Sequence, residues 1–296
     1  MDNHWLCPLY SFTCDNINVQ LSDSIIIEYV PMDFKEWMQE QFPKSLLTSK
    51  DDPTNFNWVL KFSPPQYKST PPDNYANDTL GSAHWYMNLI TWAFRLYKKG
   101  NITPGSVYCF KNSISKLELL CSFEAALCKN GSSKQPFYQF NKKDYTHVCN
   151  ILSILLTCFH KGFPGPFSVV FNRFNSAYHE TAEDTLIDQM IAFESLLLDD
   201  DKELGYKLAL RTAFLINRNK EIVFNNMKKA YNLRSLIVHG KKQVSNDELI
   251  KFLPLTEGYL RQSITTFVTL MAKGNTITEI RNMLDTNILK SSRTKK

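Results

Sequence analysis

The spacing of hydrophobic positions divides the chain into a strand-containing first part and a long helical second part. Apolar and polar residues alternate over 17–21, and a β-branched run follows at Ile25–Val30, which predicts one or two strands. Short apolar runs between turn residues predict two further strands, at Trp58–Ser63 and Ser106–Phe110. Apolar residues elsewhere recur with helical spacing. The predicted helices are 33–42, 83–99, 142–160, 167–178, 180–198, 203–217, 221–238, 246–273 and 277–289.

Two proline-containing breaks organise these elements. Ser63–Gly81 holds two Pro-Pro pairs among Asn, Asp and Ser residues, and this composition predicts an exposed loop. Pro164-Gly-Pro166 ends the helix before it, so we place a domain boundary near Phe163–Pro166. The predicted fold class is therefore α+β and mostly α, with an N-terminal mixed domain at 1–163 and an all-α helical domain at 164–296.

The composition excludes several classes of protein. The chain has 296 residues and is 43% hydrophobic, which is ample for two ordinary domains. The longest apolar run, Cys149–Phe159, is shorter than the roughly 18 residues of a membrane span, and the first residues lack the pattern of a secretory signal. Seven cysteines without a C-x-x-C pair indicate reduced thiols. We expect a cytoplasmic protein without a membrane segment.

Candidate metal and cofactor sites are weak. Cys149 and Cys158 each lie two residues from a histidine, but nine residues of one helix separate them by roughly 13 Å, too far to share a zinc ion. The acidic run Asp199–Asp201 is better explained as a solvated turn. The sequence also lacks a Walker A loop, a G-x-G-x-x-G turn and a G-x-S-x-G elbow. We expect neither a metal nor a cofactor.

Two charged residues lie inside otherwise apolar helical runs. Glu194 follows Ala-Phe and precedes Ser-Leu-Leu, and Arg211 stands between Ala-Leu and Thr-Ala. A lone charge in such a position is costly without a partner. The sequence therefore predicts a buried ion pair between Glu194 and Arg211, with a direct catalytic role as the alternative.

The most specific chemistry lies at the end of the predicted helix 221–238. Tyr231, Arg234, Ser235 and His239 fall within a stripe of roughly 140° on a helical wheel, and leucine, isoleucine and alanine fill the other side. Gly240 is well placed to end the helix, which puts His239 in the last turn, where the helix dipole favours a cation. This set can neutralise, donate to and accept from a phosphate or a ribose.

Basic residues surround this helix end. Residues 220–242 hold one acid, Glu221, against six basic side chains, which are Lys220, Lys228, Lys229, Arg234, Lys241 and Lys242. A polyanionic partner such as RNA is one interpretation. The other is that the lysines only keep a helix surface soluble, and both remain open from the sequence.

The run from Tyr231 to Gly240 has the form Tyr-x-x-Arg-Ser-x-x-x-His-Gly and resembles the signature of the HEPN superfamily, in particular its Apea-like branch. Segments 186–197, 208–213 and 260–267 resemble other helices of that family, so the resemblance covers roughly 165–290. It implies a helical bundle that forms a homodimer, in which two Arg-x4-His motifs share one cleft.

The resemblance also implies an activity. Many members of the family cut RNA without a metal by attack of the ribose 2′-hydroxyl, which leaves a 2′,3′-cyclic phosphate. Arg234 and His239 would then be catalytic, and Ser235, Tyr231, Lys241 and Lys242 would contribute to binding. We expect a ribonuclease, acting as a toxin or in antiviral defence.

The alternative is a non-catalytic module that binds RNA or mediates dimerisation. Many active relatives carry Asn, Asp or His directly after the arginine, where this chain has Ser235. That departure and the modest net charge of +5 favour the alternative.

Overall fold

The computed structural model of the protein describes residues 4–16, 18–42, 55–63, 79–111, 117–123, 137–178, 181–199, 202–240 and 244–293. Over these ranges the fold is α+β and mostly α, as the sequence predicts, with the strands in the first half and helices throughout the second. The chain divides into two compact units, 1–153 and 154–296. The division falls inside one helix, ten residues before the position at which the sequence suggests a boundary.

An antiparallel sheet forms the centre of the first unit. The described strands are β1 His4–Tyr10, β2 Phe12–Cys14, β3 Asn18–Ser22, β4 Ile25–Tyr29, β5 Trp58–Phe62, β6 Thr103–Pro104, β7 Val107–Lys111, β8 Glu118–Phe123 and β9 Tyr138–Phe140. In the sheet they follow the order β3-β4-β5-β1-β7-β8, with β6 paired to β1, and β2 pairs in parallel with β9 in a separate ribbon. The strands predicted at 17–30, 58–63 and 106–110 are confirmed as β3, β4, β5 and β7.

Helices cover both faces of this sheet. On one face, Phe34 of helix α1 (Met32–Gln41) packs in an apolar cluster with Leu6 of β1 and Phe110 of β7. On the other face, Tyr86 of helix α2 (Thr79–Tyr97) packs on Phe62 of β5. Residues 5–9 of β1 are all buried because successive side chains point to opposite faces and both faces are covered.

The predicted loop at 63–81 lies mostly outside the described residues, and its last three positions belong to α2. The third long helix, α3 (Tyr145–His160), follows a 3-10 turn at Lys142–Asp144. That turn begins with a capping box, in which Asn141 and Asp144 bond each other's backbone N–H groups. Asn141, the residue directly before the predicted helix 142–160, therefore acts as a cap.

The second unit is helical throughout its described residues. After the end of α3 it contains α4 Gly165–Ser176, α5 Ala182–Leu197, α6 Leu204–Ile216, α7 Lys220–Val238, α8 Asn246–Ala272 and α9 Ile277–Arg293. Each helix buries one apolar stripe, and the centre of the bundle includes Phe193 of α5, Leu208 of α6, Met227 of α7 and Phe267 of α8. The six helices predicted from 167 onward are all confirmed.

Two arginines hold the C-terminal end of α5. The last carbonyls of a helix lack partners within the helix. Arg281 of α9 donates to the carbonyls of Ser195 and Leu196, at 2.8 and 3.1 Å, and Arg211 of α6 donates to that of Leu197. Their positive charges also complement the negative end of the helix dipole. The end of α5 is therefore fixed by side chains from two other helices.

The predicted ion pair between Glu194 and Arg211 is wrong. Arg211 instead makes two parallel hydrogen bonds to Asp285 of α9, at 2.9 and 2.8 Å, and a third to Asp199, at 2.9 Å. Asp199, expected in a solvated turn, is therefore a partner of Arg211 even though its own side chain is half-exposed. Glu194 faces a different arginine, Arg234 of α7. Each charge does have a partner, but helical spacing alone does not identify it.

Candidate functional site

The candidate site lies at the C-terminal end of α7. One face of this helix is buried against the bundle by Val223, Met227, Ala230 and Leu233, which recur at helical spacing. The helix ends at Val238, and His239 is its C-cap. Gly240 follows with φ of +60°, a left-handed conformation that glycine adopts without strain, and its N–H donates to the carbonyl of Ile237. The helix end predicted at Gly240 is confirmed to within one residue, with His239 as the C-cap and not in the last turn.

Arg234 points partly into the bundle, toward α5. Its Nη2 atom lies 3.9 Å from Oε2 of Glu194, and the two side chains are 24% and 23% exposed. Nε of Arg234 and Oε1 of Glu194 are buried, and neither has a hydrogen-bond partner among the described residues. The pair is therefore loose, at the outer limit of an ion pair. About a quarter of the Arg234 side chain remains exposed to solvent.

Burial changes the chemistry of Glu194. Loss of water contact raises the pKa of this carboxyl, and the nearby Arg234 guanidinium acts in the opposite direction without cancelling the effect. Attraction over 3.9 Å is weak in comparison with the desolvation of a carboxylate. The ionised form of Glu194 is therefore poorly stabilised, and its Oε1 atom can accept a hydrogen bond from a second donor.

His239 is the accessible member of the set. Its side chain is exposed, and its backbone N–H donates to the carbonyl of Ser235 at 3.1 Å, which continues the helical pattern for one more residue. Arg234 and His239 therefore differ in their surroundings. The first lies against a carboxylate in the bundle, and the second extends from the helix end into solvent.

Tyr231 and Ser235 lie between the bundle and the surface. A Cβ atom added to Gly205, in the first turn of α6, would come within 2.7 Å of the Tyr231 ring. This close approach means that Tyr231 packs directly on the backbone of α6. Ser235 is half-buried one turn before His239. Lys241 and Lys242, predicted to bind, lie outside the described residues.

The lysines of α7 make local contacts. Lys228 lies over the ring of Phe224 with Nζ 5.6 Å from its centroid. Lys229 ion-pairs with Glu248 of α8 at 2.6 Å, and both side chains are exposed. An exposed pair of this kind holds its charges only weakly. The two lysines therefore point to different sides of α7, Lys228 over the Phe224 ring and Lys229 toward α8.

The metal and redox predictions concern other parts of the chain. Cys149 and Cys158 both lie on α3, and Sγ of Cys158 donates to the carbonyl of Val268. Across the described residues, no three or more His, Cys, Asp or Glu side chains come close enough to hold a metal ion. No helix in the described part of the chain is long and apolar enough to cross a membrane.

Sequence reasoning missed the partner of Arg234. The signal that was present is the position of Glu194, a charge within an apolar stretch of α5. Its partner depends on which helices of the bundle are neighbours, and the sequence of α5 does not carry that information.

Comparison with known proteins identifies no protein similar to this chain. No protein-family model matches the chain. Searches of curated proteins and of solved structures also find no match.

Proposed function

We propose that this protein is a metal-independent endoribonuclease of the HEPN type. The observation that carries the proposal is the end of α7, where an exposed imidazole lies five residues beyond a guanidinium that faces a carboxylate of a second helix at 3.9 Å. The likeness of residues 231–240 to the HEPN signature supports it. A cytoplasmic role in antiviral defence or as a toxin belongs to the same proposal.

The reaction needs two proton transfers and stabilisation of charge. The ribose 2′-oxygen loses its proton to a base, the bond from that oxygen to phosphorus forms, and the bond from phosphorus to the 5′-oxygen breaks. The 5′-oxygen then takes up a proton. Histidine is the side chain that most often performs such transfers near neutral pH. His239 is exposed to substrate and would perform one or both of them.

Arg234 would stabilise the negative charge that develops on the phosphate. A planar guanidinium suits this task because it can donate two parallel hydrogen bonds to an anion. Glu194 would be the positioning residue, because its carboxylate is the charge that faces the guanidinium, with Oε2 3.9 Å from Nη2. A homodimer that brings two such helix ends together would supply a second histidine.

The test is cleavage of single-stranded RNA in the presence of EDTA, with detection of 2′,3′-cyclic phosphate ends. We expect His239→Ala to lower the rate by about 10²–10⁴-fold and Arg234→Ala by about 10²–10³-fold. Matched controls are His160→Ala, at the end of α3, and Arg218→Ala, exposed just before α7. Wild-type protein that leaves RNA intact, or His239→Ala that cuts equally well, would refute the proposal.

A second candidate function is a non-catalytic module that binds RNA or mediates dimerisation. The specific observation in its favour is the ion pair of Arg234 with Glu194, which already partly neutralises the guanidinium. In that case, Arg234→Ala would reduce stability or binding without any effect on RNA integrity. Binding of intact RNA by wild-type protein, with no cyclic phosphate formed, would support this alternative over the nuclease.

A further inference from the structure

A half-exposed aromatic ring lies at the start of α6, next to α7. Tyr206 is 53% exposed, although tyrosine buries a large apolar ring when a core is available. Its ring meets that of Phe224 edge to face, with centroids 5.6 Å apart and an interplanar angle of 80°. One side of Tyr206 is thus held by a neighbouring ring, while about half of its surface is presented to solvent.

The backbone beneath Tyr206 is fixed to α7. The adjacent Gly205 has no side chain, and the ring of Tyr231 occupies the space that a Cβ would need. The first turn of α6 therefore approaches α7 closely at Tyr231 and again at Phe224. A ring that packs on Phe224 and stands on a backbone packed against Tyr231 loses little conformational entropy when a ligand binds to it.

Tyr206 stands beside a face of α7 that ends at the proposed catalytic histidine, and on this face Lys228 and His239 are exposed while the other positions are half-buried. Positions 224, 228, 231, 235 and 239 follow one another at intervals of four, three, four and four residues, which places them within about 80° on the helix. Fifteen residues at about 1.5 Å each make this face roughly 22 Å long. It is long enough for several nucleotides of one strand.

One exposed cation on this face can bind a nucleic-acid backbone. Lys228 is exposed and stands over Phe224, so that a cation lies between the aromatic pair and the helix end. The sequence around Tyr206 holds more acids than lysines, with Asp199–Asp201 and Glu203 against Lys202 and Lys207, so Lys228 is the cation assigned to a phosphate. An exposed aromatic ring near a cation is an arrangement by which proteins bind single-stranded nucleic acid, with bases on the rings and phosphates on the cations. A duplex hides its bases from such a ring.

We propose that Tyr206 is a stacking platform for an unpaired base, and that single-stranded RNA follows α7 from Tyr206 past Lys228 to His239. The substrate class rests on the proposed nuclease function, but binding on Tyr206 does not require cleavage. Tyr206 touches no reacting atom in this arrangement. Its role is to bind the strand and set which phosphate lies at the helix end.

The experiment measures the affinity of the full chain for a fluorescent single-stranded RNA of about a dozen nucleotides, in a His239→Ala background that prevents cleavage. We expect Tyr206→Ala to weaken binding about 5- to 150-fold, which corresponds to the loss of about 1–3 kcal/mol per stacked base. Tyr206→Phe keeps the ring and should bind as tightly as the parent. A duplex of the same sequence should bind more weakly and should not respond to either change.

Tyr29→Ala is the matched control. Tyr29 is 52% exposed and also meets a neighbouring ring, that of Trp58, edge to face at 5.6 Å and 82°. Loss of an exposed ring as such would affect both variants equally, whereas the proposal predicts an effect only at Tyr206. Far-UV circular dichroism checks that each variant is folded.

The outcomes separate this proposal from the nuclease function. Binding that depends on Tyr206, in a protein whose wild-type form leaves RNA intact, would support the platform and refute the nuclease. Cleavage that depends on His239, with unchanged affinity in Tyr206→Ala, would support the nuclease and refute the platform. An equal effect of Tyr29→Ala and Tyr206→Ala, or no measurable affinity for single-stranded RNA, would overturn the platform.

Discussion

Replacement of Arg211 by methionine tests how the end of α5 is held. Methionine retains most of the apolar stem, so the change removes the guanidinium and its hydrogen bonds without leaving a large void. The side chain is only 6% exposed, and it bonds Asp285 twice, Asp199 once and the carbonyl of Leu197. These four contacts connect α6 to α9 and to the end of α5.

The expected loss is about 2 kcal/mol of unfolding free energy. Removal of one partner from a fully buried ion pair costs about 3–5 kcal/mol, because the other charge is left without water. Asp199 and Asp285 are 44% and 45% exposed, so water can solvate them after the change. Each of these two ion pairs therefore contributes nearly as little to the unfolding free energy as a surface pair, at about 0–1 kcal/mol. The carbonyl of Leu197 and the dipole of α5 account for the remainder.

Thermal unfolding of the full chain measures this effect. All five tryptophans lie in residues 1–153, so tryptophan fluorescence follows the first unit, whereas circular dichroism at helical wavelengths also follows the all-helical second unit. We expect the dichroism transition of Arg211→Met to fall by roughly 5–10 °C. Lys229→Met, which removes an exposed ion pair with Glu248, should change it by about 1–2 °C. Equal transitions for the two variants would refute the argument.

Three further changes have definite expected results. Burial raises the pKa of Glu194, so ionisation of this carboxyl lowers the stability of the fold as the pH rises above the pKa that it has in the unfolded chain. Glu194→Gln should therefore have a melting temperature at least as high as that of wild type at pH 7.5 and no higher at pH 4. If Glu194 positions Arg234 as proposed, the variant should nevertheless cleave RNA more slowly than wild type. Gly240→Ala places a side chain at φ +60° with open space around it, so backbone strain alone should cost about 1 kcal/mol in denaturant unfolding and loosen His239. Burial raises the pKa of Cys158 to about 11, so it should resist iodoacetamide at pH 8 until the protein is unfolded, as mass spectrometry can show.

The helices were predictable because each buries a single stripe. Helices α4 to α9 begin and end within about four residues of the predicted limits. Strand β1 was missed for a physical reason, since Trp5, Leu6 and Cys7 are all buried between two helical layers and leave no alternation to detect.

The site was predictable only in part. Helical spacing and a glycine stop place Arg234 and His239 at the end of α7. The partners of charged residues depend on which helices are neighbours, and Arg211 bonds a carboxylate 74 positions away. The sequence shows that Glu194 needs a partner, but the order of helices in the bundle decides that the partner is Arg234.

The hydrogen bonds that Arg211 and Arg281 donate to the last carbonyls of α5 have a genetic consequence. Glu194, which we propose positions Arg234, lies one position before the three carbonyls that these arginines hold. A substitution at Arg281 would therefore disturb the proposed site without touching it. A screen for inactive alleles should return changes in α9 as well as in α7, and suppressors of the α9 alleles should map to residues that restore a donor to the end of α5.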